Sequence, residues 1–297
     1  MSTSNSLTTD FTIQLRDGRN LGVASVGTSD GFPIFHFHGS GSSRLEVLLL
    51  ADEAIALGVR LIGLDRPGIG RSDAKVGYRL LDWPDDVVGV ADQLGIEQFA
   101  IEGLSAGGPY AMACAYKIPQ RLMACGLIST VSPGNLIRKA GRVGMRMMWW
   151  IGAQFPWLVR FYASLVQGMI GGSDEARIEK YLVQYAPRLG TADQQVLGNA
   201  EIRRLIVQAM AESYRQGGEA GLEAAIEGVR PWGFKVEQIG LEKMFLWHGE
   251  DDRLMPVGPV RLLAQALPHC TATFYADEGH FSVPIHHGQE IFKALKG

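Results

Sequence analysis

Cysteine is scarce: the 297 residues contain three, Cys114, Cys125 and Cys270, none in a CxxC spacing. An odd, dispersed set in apolar surroundings builds neither a disulfide framework nor a zinc site, and it suits a reducing, cytoplasmic compartment. Net charge is also small, −3 at pH 7 with no basic arm, so nothing global draws the chain to nucleic acid. No uninterrupted run of about 20 apolar residues exists. The most apolar window, 147–166, is broken by Gln154, Pro156 and Arg160, which argues against a membrane-spanning helix. The first residues, Met1 to Asp10, lack the positive start and apolar stretch of a secretion signal and are expected to fray. Acidic side chains are missing altogether from Gly103 through Ser173, so that stretch can supply no carboxylate to a reaction.

What is present is an apolar fraction of 46%, enough for a sizeable core. Up to about residue 130, short apolar or β-branched runs alternate with helical patterns, the rhythm of a parallel sheet wrapped by helices. Strands are expected at Phe11–Leu15, Leu21–Val26, Pro33–Phe37, Arg60–Asp65, Phe99–Leu104 and Ala124–Thr130, and helices near Ser43–Leu57 and Asp82–Leu94. Ser132-Pro133-Gly134-Asn135 then opens about a hundred residues of helical pattern with almost no strand signal. The βα rhythm resumes with a strand Lys243–His248, a helix Val257–Leu267, a strand Thr271–Tyr275 and a last helix to Lys296. One α/β fold interrupted by a helical lid accounts for this order: core 1–132 and 236–297, lid 133–235.

Gly103-Leu104-Ser105-Ala106-Gly107 matches G-x-S-x-G, a weak signal alone in a chain with 37 glycines. A second match, Gly27 to Gly31, sits in a polar turn between two strands. Only Ser105 follows an apolar strand and opens a helix, the sharp turn that lifts a hydroxyl above the sheet edge. A serine nucleophile needs a base, and the base needs a group to fix its tautomer. His280 follows a strand at the edge where ligands collect in open parallel sheets, and it is the expected base. The loop Gly249 to Pro256 offers the acid; spacing favours Asp252, with Asp251 second. Oxyanion donors are expected from the Ser40 and Ala106 N–H groups, with His38 fixing its loop by a hydrogen bond.

Taken together, His38-Gly39, the run Asp65 to Ser72 after a strand, the Ser105 turn, Gly249 to Pro256 and Gly279-His280 resemble the α/β-hydrolase superfamily. The resemblance implies a mostly parallel eight-stranded sheet with flanking helices and an inserted helical lid, and a Ser105–His280–Asp252 triad with no metal or organic cofactor. Serine rather than aspartate at the turn disfavours alkyl-enzyme chemistry, and Ser40-Gly41-Ser42 after the loop histidine disfavours peptidases. These motifs recur across esterases, lipases, lactonases, perhydrolases and C–C hydrolases, so the resemblance is generic about substrate; the activity expected of this chain is that of a carboxylesterase on a small acyl substrate with an apolar or aromatic group. A haloperoxidase-like perhydrolase, a C–C bond hydrolase and a ligand-binding protein of the same fold are the alternatives.

Met, Trp and Phe crowd the first half of the insert, suiting a cover over an apolar group. Substrate contacts are expected at Leu104, Trp149, Phe155 and Phe281. The acid-free stretch also carries Lys117, Arg121, Arg138, Lys139, Arg142, Arg146 and Arg160. Charge pairing with the acid-richer part of the insert, Asp174 to Glu227, is the favoured arrangement; contact with an anionic lipid surface is the other.

Overall fold

A computed structural model describes residues 6–170, 172–218 and 230–297. Eight strands form one sheet in the order β1-β2-β4-β3-β5-β6-β7-β8. They are β1 (Ser6–Gln14), β2 (Asn20–Thr28), β3 (Phe32–Phe37), β4 (Val59–Leu64), β5 (Phe99–Leu104), β6 (Leu122–Ile128), β7 (Met244–Gly249) and β8 (Cys270–Tyr275). β2 runs antiparallel to both β1 and β4, and every other pair is parallel. The central strands read as near-continuous apolar runs because helices cover both of their faces. Phe35, Phe37, Ile62, Leu64 and Ile101 are fully buried, each contributing about 1.5–3 kcal/mol relative to exposure.

The core helices are α1 (Ala51–Ala56), α2 (Trp83–Gln93) and α3 (Gly108–Lys117), followed after the insert by α10 (Val257–Ala266) and α11 (Ser282–Lys296). Between β6 and β7 lie α4 (Gly134–Ala140), α5 (Val143–Gln154), α6 (Pro156–Ile170), α7 (Glu175–Tyr185), α8 (Thr191–Gly198) and α9 (Ala200–Ser213). The expected strands all form, with ends shifted mostly by one or two residues. The expected helix at Ser43–Leu57 divides into a 3₁₀ segment, Arg44–Leu50, and α1.

One expectation is corrected. The segment expected to fray enters β1, where Ser6 to Asp10 pair with Thr28 to Ala24. Asp10 also meets Arg44 in a two-pronged ion pair, Oδ1 to Nε at 2.6 Å and Oδ2 to Nη2 at 2.9 Å. Polarity alone misled here: β1 is an edge strand, and its carboxylate neutralises a guanidinium that is only 1% exposed. Arg44 Nη1 reaches Asp65 after β4 and Glu212 on α9, at 2.7 and 2.8 Å. One buried cation thus ties the sheet edge, the core and the insert. Removing one partner from such a cluster typically costs about 3–5 kcal/mol. Among the described residues, no helix is long and apolar enough to cross a membrane.

Candidate active site

Parallel strands deliver their following loops to one rim. β3 leads into His38 to Ser42, β5 into Ser105, β7 into Asp252 and β8 into His280. The second G-x-S-x-G match instead occupies the turn before β3, at the opposite end of the sheet.

Ser105 has φ +52°, in the left-handed region that a non-glycine residue seldom adopts. The conformation is imposed by its neighbours. A Cβ on Gly107 would collide with the Phe37 carbonyl oxygen, and one on Gly103 would lie 2.5 Å from that of Gly107. Glycine at both positions lets the chain turn within one residue and leaves the serine on the rim, 8% exposed. Pro109 sits in the first turn of α3, where its missing N–H costs no helix bond.

His280 Nδ1 lies 2.7 Å from Asp252 Oδ2. The other carboxylate oxygen, Oδ1, accepts the N–H groups of Leu254 and Met255 at 2.9 and 2.7 Å, so the acid is fixed by its own loop. Of the two carboxylates left open by spacing, Asp252 faces the imidazole, while Asp251 bonds Arg253 near the surface. Burial opposes charge on His280, but the Asp252 carboxylate, with Asp193 and Glu46 behind it, outweighs burial and raises its pKa. The Asp252 carboxyl, although burial works against its ionisation, is lowered by His280. His248, 3.8 Å from Asp252 Oδ2, is pushed down by burial and bonds the Met255 carbonyl. It offers Asp252 no competing cation at neutral pH.

Ser105 and His280 line the same cavity, of about 320 Å³. The His280 ring is held through Nδ1 by Asp252, and no hydrogen bond joins the Ser105 hydroxyl to the imidazole. Ser40 lies on the cavity wall as well. Neither its N–H nor that of Ala106 donates to a protein acceptor among the described residues. The loop carrying Ser40 is held from three sides. Glu46 Oε2 accepts the Gly39 N–H at 3.0 Å, Arg66 donates to the carbonyls of His38 and Gly39, and His38 Nδ1 meets the Gly39 carbonyl at 2.8 Å.

Leu104 and Phe281 line the cavity; Trp149 and Phe155 do not. Trp149 lies against Gly134 and borders a separate hollow beside Trp232, and Phe155 is exposed between α5 and α6. The apolar wall comes instead from the later helices: Tyr181 and Leu182 on α7, Leu197 on α8, and Ile206 and Met210 on α9. Richness in aromatic residues drew attention to the wrong half of the insert. The i, i+4 pairs Ile178/Leu182 and Ile206/Met210 were the better signal, since they mark faces turned inward.

Sequence reasoning also missed Asp193 and the His36 cluster. Asp193, fully buried on α8, accepts the backbone N–H groups of His280, Phe281 and Ser282. His36 bridges Glu102 and Glu46 at 2.8 Å each. Burial disfavours its charge, but the two carboxylates overcome that and push it up to about 9. Both ring nitrogens then donate, and Glu46 is left oriented to hold Gly39.

This strand order and rim of loops define an α/β hydrolase fold, and a family model of that description matches residues 33–286; the chain belongs to that family. The chain is 26% identical over 295 residues to the 2-hydroxymuconate semialdehyde hydrolase of Pseudomonas putida, covering 94% of this chain and 92% of that one. It is 25% identical to the 2-hydroxy-6-oxononadienedioate/2-hydroxy-6-oxononatrienedioate hydrolase of Paraburkholderia phymatum, over 93% and 90% of the two chains. Its backbone superposes on an esterase from Exiguobacterium antarcticum with a TM-score of 0.69 at 17% identity, covering 97% of this chain and 100% of the other.

Proposed function

We propose that the chain is a serine hydrolase of carboxylic esters with an apolar acyl or aromatic group. The observation that carries this reading is the meeting of a strained Ser105 and an Asp252-bound His280 in one apolar cavity. Ser105 Oγ attacks the ester carbonyl carbon while His280 Nε2 takes its proton, and Asp252 stabilises the imidazolium across Nδ1. The Ser40 and Ala106 N–H groups receive the carbonyl oxygen as it becomes an oxyanion, each donor worth about 3 kcal/mol. The tetrahedral species collapses, and the alcohol leaves with the proton from His280. Water, deprotonated by the same imidazole, then attacks the acyl-Ser105 carbonyl; the acid is released as Ser105 Oγ leaves with the proton returned by His280. The insert, taken as residues 133–235, serves as a cap over the core formed by 1–132 and 236–297, with α7 to α9 as its substrate-facing part.

A C–C bond hydrolase is the second reading, favoured by the names of the relatives. Those names denote carboxylate-bearing substrates, a dicarboxylate in the P. phymatum case. No Lys or Arg side chain lines the cavity among the described residues, and the cation His36 is already engaged by two carboxylates. An uncharged ester suits this wall better. The deciding experiment compares p-nitrophenyl esters from acetyl to long-chain acyl with a vinylogous 1,5-diketone carboxylate. Multiple turnovers on esters with a bulky-chain preference are expected, with Ser105→Ala and His280→Ala slower by about four to six orders of magnitude. Faster cleavage of the diketone overturns the ester assignment, and a Ser105→Ala variant that keeps most of its activity overturns the nucleophile.

A further inference from the structure

The outer face of α5 and α6 is the most apolar exposed surface among the described residues. Met147 and Trp150 on α5, and Trp157, Phe161, Leu165 and Met169 on α6, are all more than half exposed, Trp157 at 65% and Met169 at 68%. They recur at helical spacing, so each helix turns an apolar stripe outward instead of toward the core. A contiguous apolar patch of this kind is unusual on a monomer and marks a contact surface.

The charge around the stripe selects the occupant. Arg142 and Arg146 each precede a stripe residue, Val143 and Met147, by one position and therefore flank it. With Arg138 and Lys139 on α4 they form a basic margin, and none of the four makes an ion pair among the described residues. Of the other basic residues the sequence singled out, Lys117 and Arg121 pair with Asp85 and Asp92 of the core; part of the acidic stretch expected to pair within the insert lies outside the described residues. No carboxylate occurs anywhere from Gly103 through Ser173. A second copy seated face to face would set these cations against one another. Phosphate headgroups neutralise them, while Trp and Tyr side chains favour the boundary between headgroup and acyl chain.

We infer that the α5–α6 face docks on an anionic lipid surface, the aromatic and Met side chains entering the headgroup boundary and the basic margin holding lipid phosphates. The inference does not rest on the ester reading, because the docking residues do not line the Ser105 cavity.

The test is flotation of the full chain with phosphatidylcholine vesicles, with and without phosphatidylglycerol, alongside hydrolysis of a short soluble ester. Wild type should float with the anionic vesicles at low salt, and more weakly at high salt. The double variant Arg142→Glu/Arg146→Glu should lower partitioning by about tenfold or more. Trp157→Ser/Phe161→Ser should lower it on both vesicle types, and neither pair should alter turnover of the soluble ester. Protein that stays unbound at low salt overturns the inference. So does binding that both double variants leave unchanged, or light scattering that shows a dimer dissociated by Trp157→Ser/Phe161→Ser.

Discussion

Asp193 on α8 sits beneath the turn that carries His280: its Oδ2 accepts the His280 N–H at 2.8 Å, and its Oδ1 those of Phe281 and Ser282 at 2.8 and 3.0 Å. The three donors are orphan N–H groups at the entry to α11, where a carboxylate is favoured by both hydrogen bonding and the helix dipole. Contact is so close that a Cβ on Gly279 would run into the Asp193 carboxyl. Across the same seam a Cβ on Gly190 would lie 2.5 Å from Asp251 Oδ2. α8 and the residues before it are therefore packed against the two loops that carry Asp252 and His280, and Asp193 holds the backbone of the turn from which the imidazole projects.

Asp193→Asn keeps the shape but turns an amide NH₂ toward N–H donors. The turn should relax and kcat/KM should fall by about ten- to a hundredfold. Asp193 also pulls the His280 pKa upward together with Asp252 and Glu46, the other carboxylates acting on it. Losing that charge should move the ascending limb of the pH profile to lower pH, and Asp193→Glu should partly restore it. A limb that stays in place while activity falls would reduce Asp193 to a structural cap.

The base must be neutral to accept a proton from Ser105, so activity should rise with pH as His280 deprotonates. Because its pKa is raised from the ordinary 6.5, the midpoint of kcat/KM should lie above 6.5. Asp252→Asn should slow turnover by about four orders of magnitude, as in other triads that lose the orienting acid, and shift that midpoint downward. A wild-type midpoint below 6.5 contradicts the electrostatic account of the site.

His36 makes a prediction about stability. Its folded-state pKa of about 9 exceeds the unfolded value of 6.5, so the folded chain holds an extra proton between those limits. The resulting stabilisation, about 3 kcal/mol, is complete below pH 6.5 and is lost as pH rises through 9. Urea unfolding at several pH values should show this decline, and His36→Gln should flatten it. An equally steep decline in the variant assigns the effect to other groups.

Much of this was legible in the chain because strands and turns leave local marks. Ser105 stood out as a candidate by a strand before it, a helix after it and a glycine two residues away on either side, all readable over a few residues. Asp252 and His280 followed from loops after strands of known order. Asp193 left no such mark: a single carboxylate in a helical stretch becomes meaningful only when α8 packs on a turn 87 residues away. The His36 cluster was hidden for the same reason, since Glu46 and Glu102 meet it only through β3–β5 pairing and the turn after β3. Aromatic content misplaced the cavity wall because composition does not say which face of a helix points inward.

Met210 offers a direct probe of that wall. It lies on α9, half-buried, and lines the cavity with Ile206 and Leu197. Its unbranched side chain adapts to whatever the cavity holds, and Met210→Trp replaces it with a larger, stiffer one. A long acyl chain should lose its space while an acetyl group keeps its own. The ratio of kcat/KM for a long-chain ester to that for an acetyl ester should fall about tenfold or more, close to the discrimination that one or two methylenes' worth of room provides. Overpacking costs about 1–3 kcal/mol, so a melting curve must accompany the kinetics. A folded variant with an unchanged ratio would place the acyl group elsewhere and return the substrate-facing role to another part of the insert.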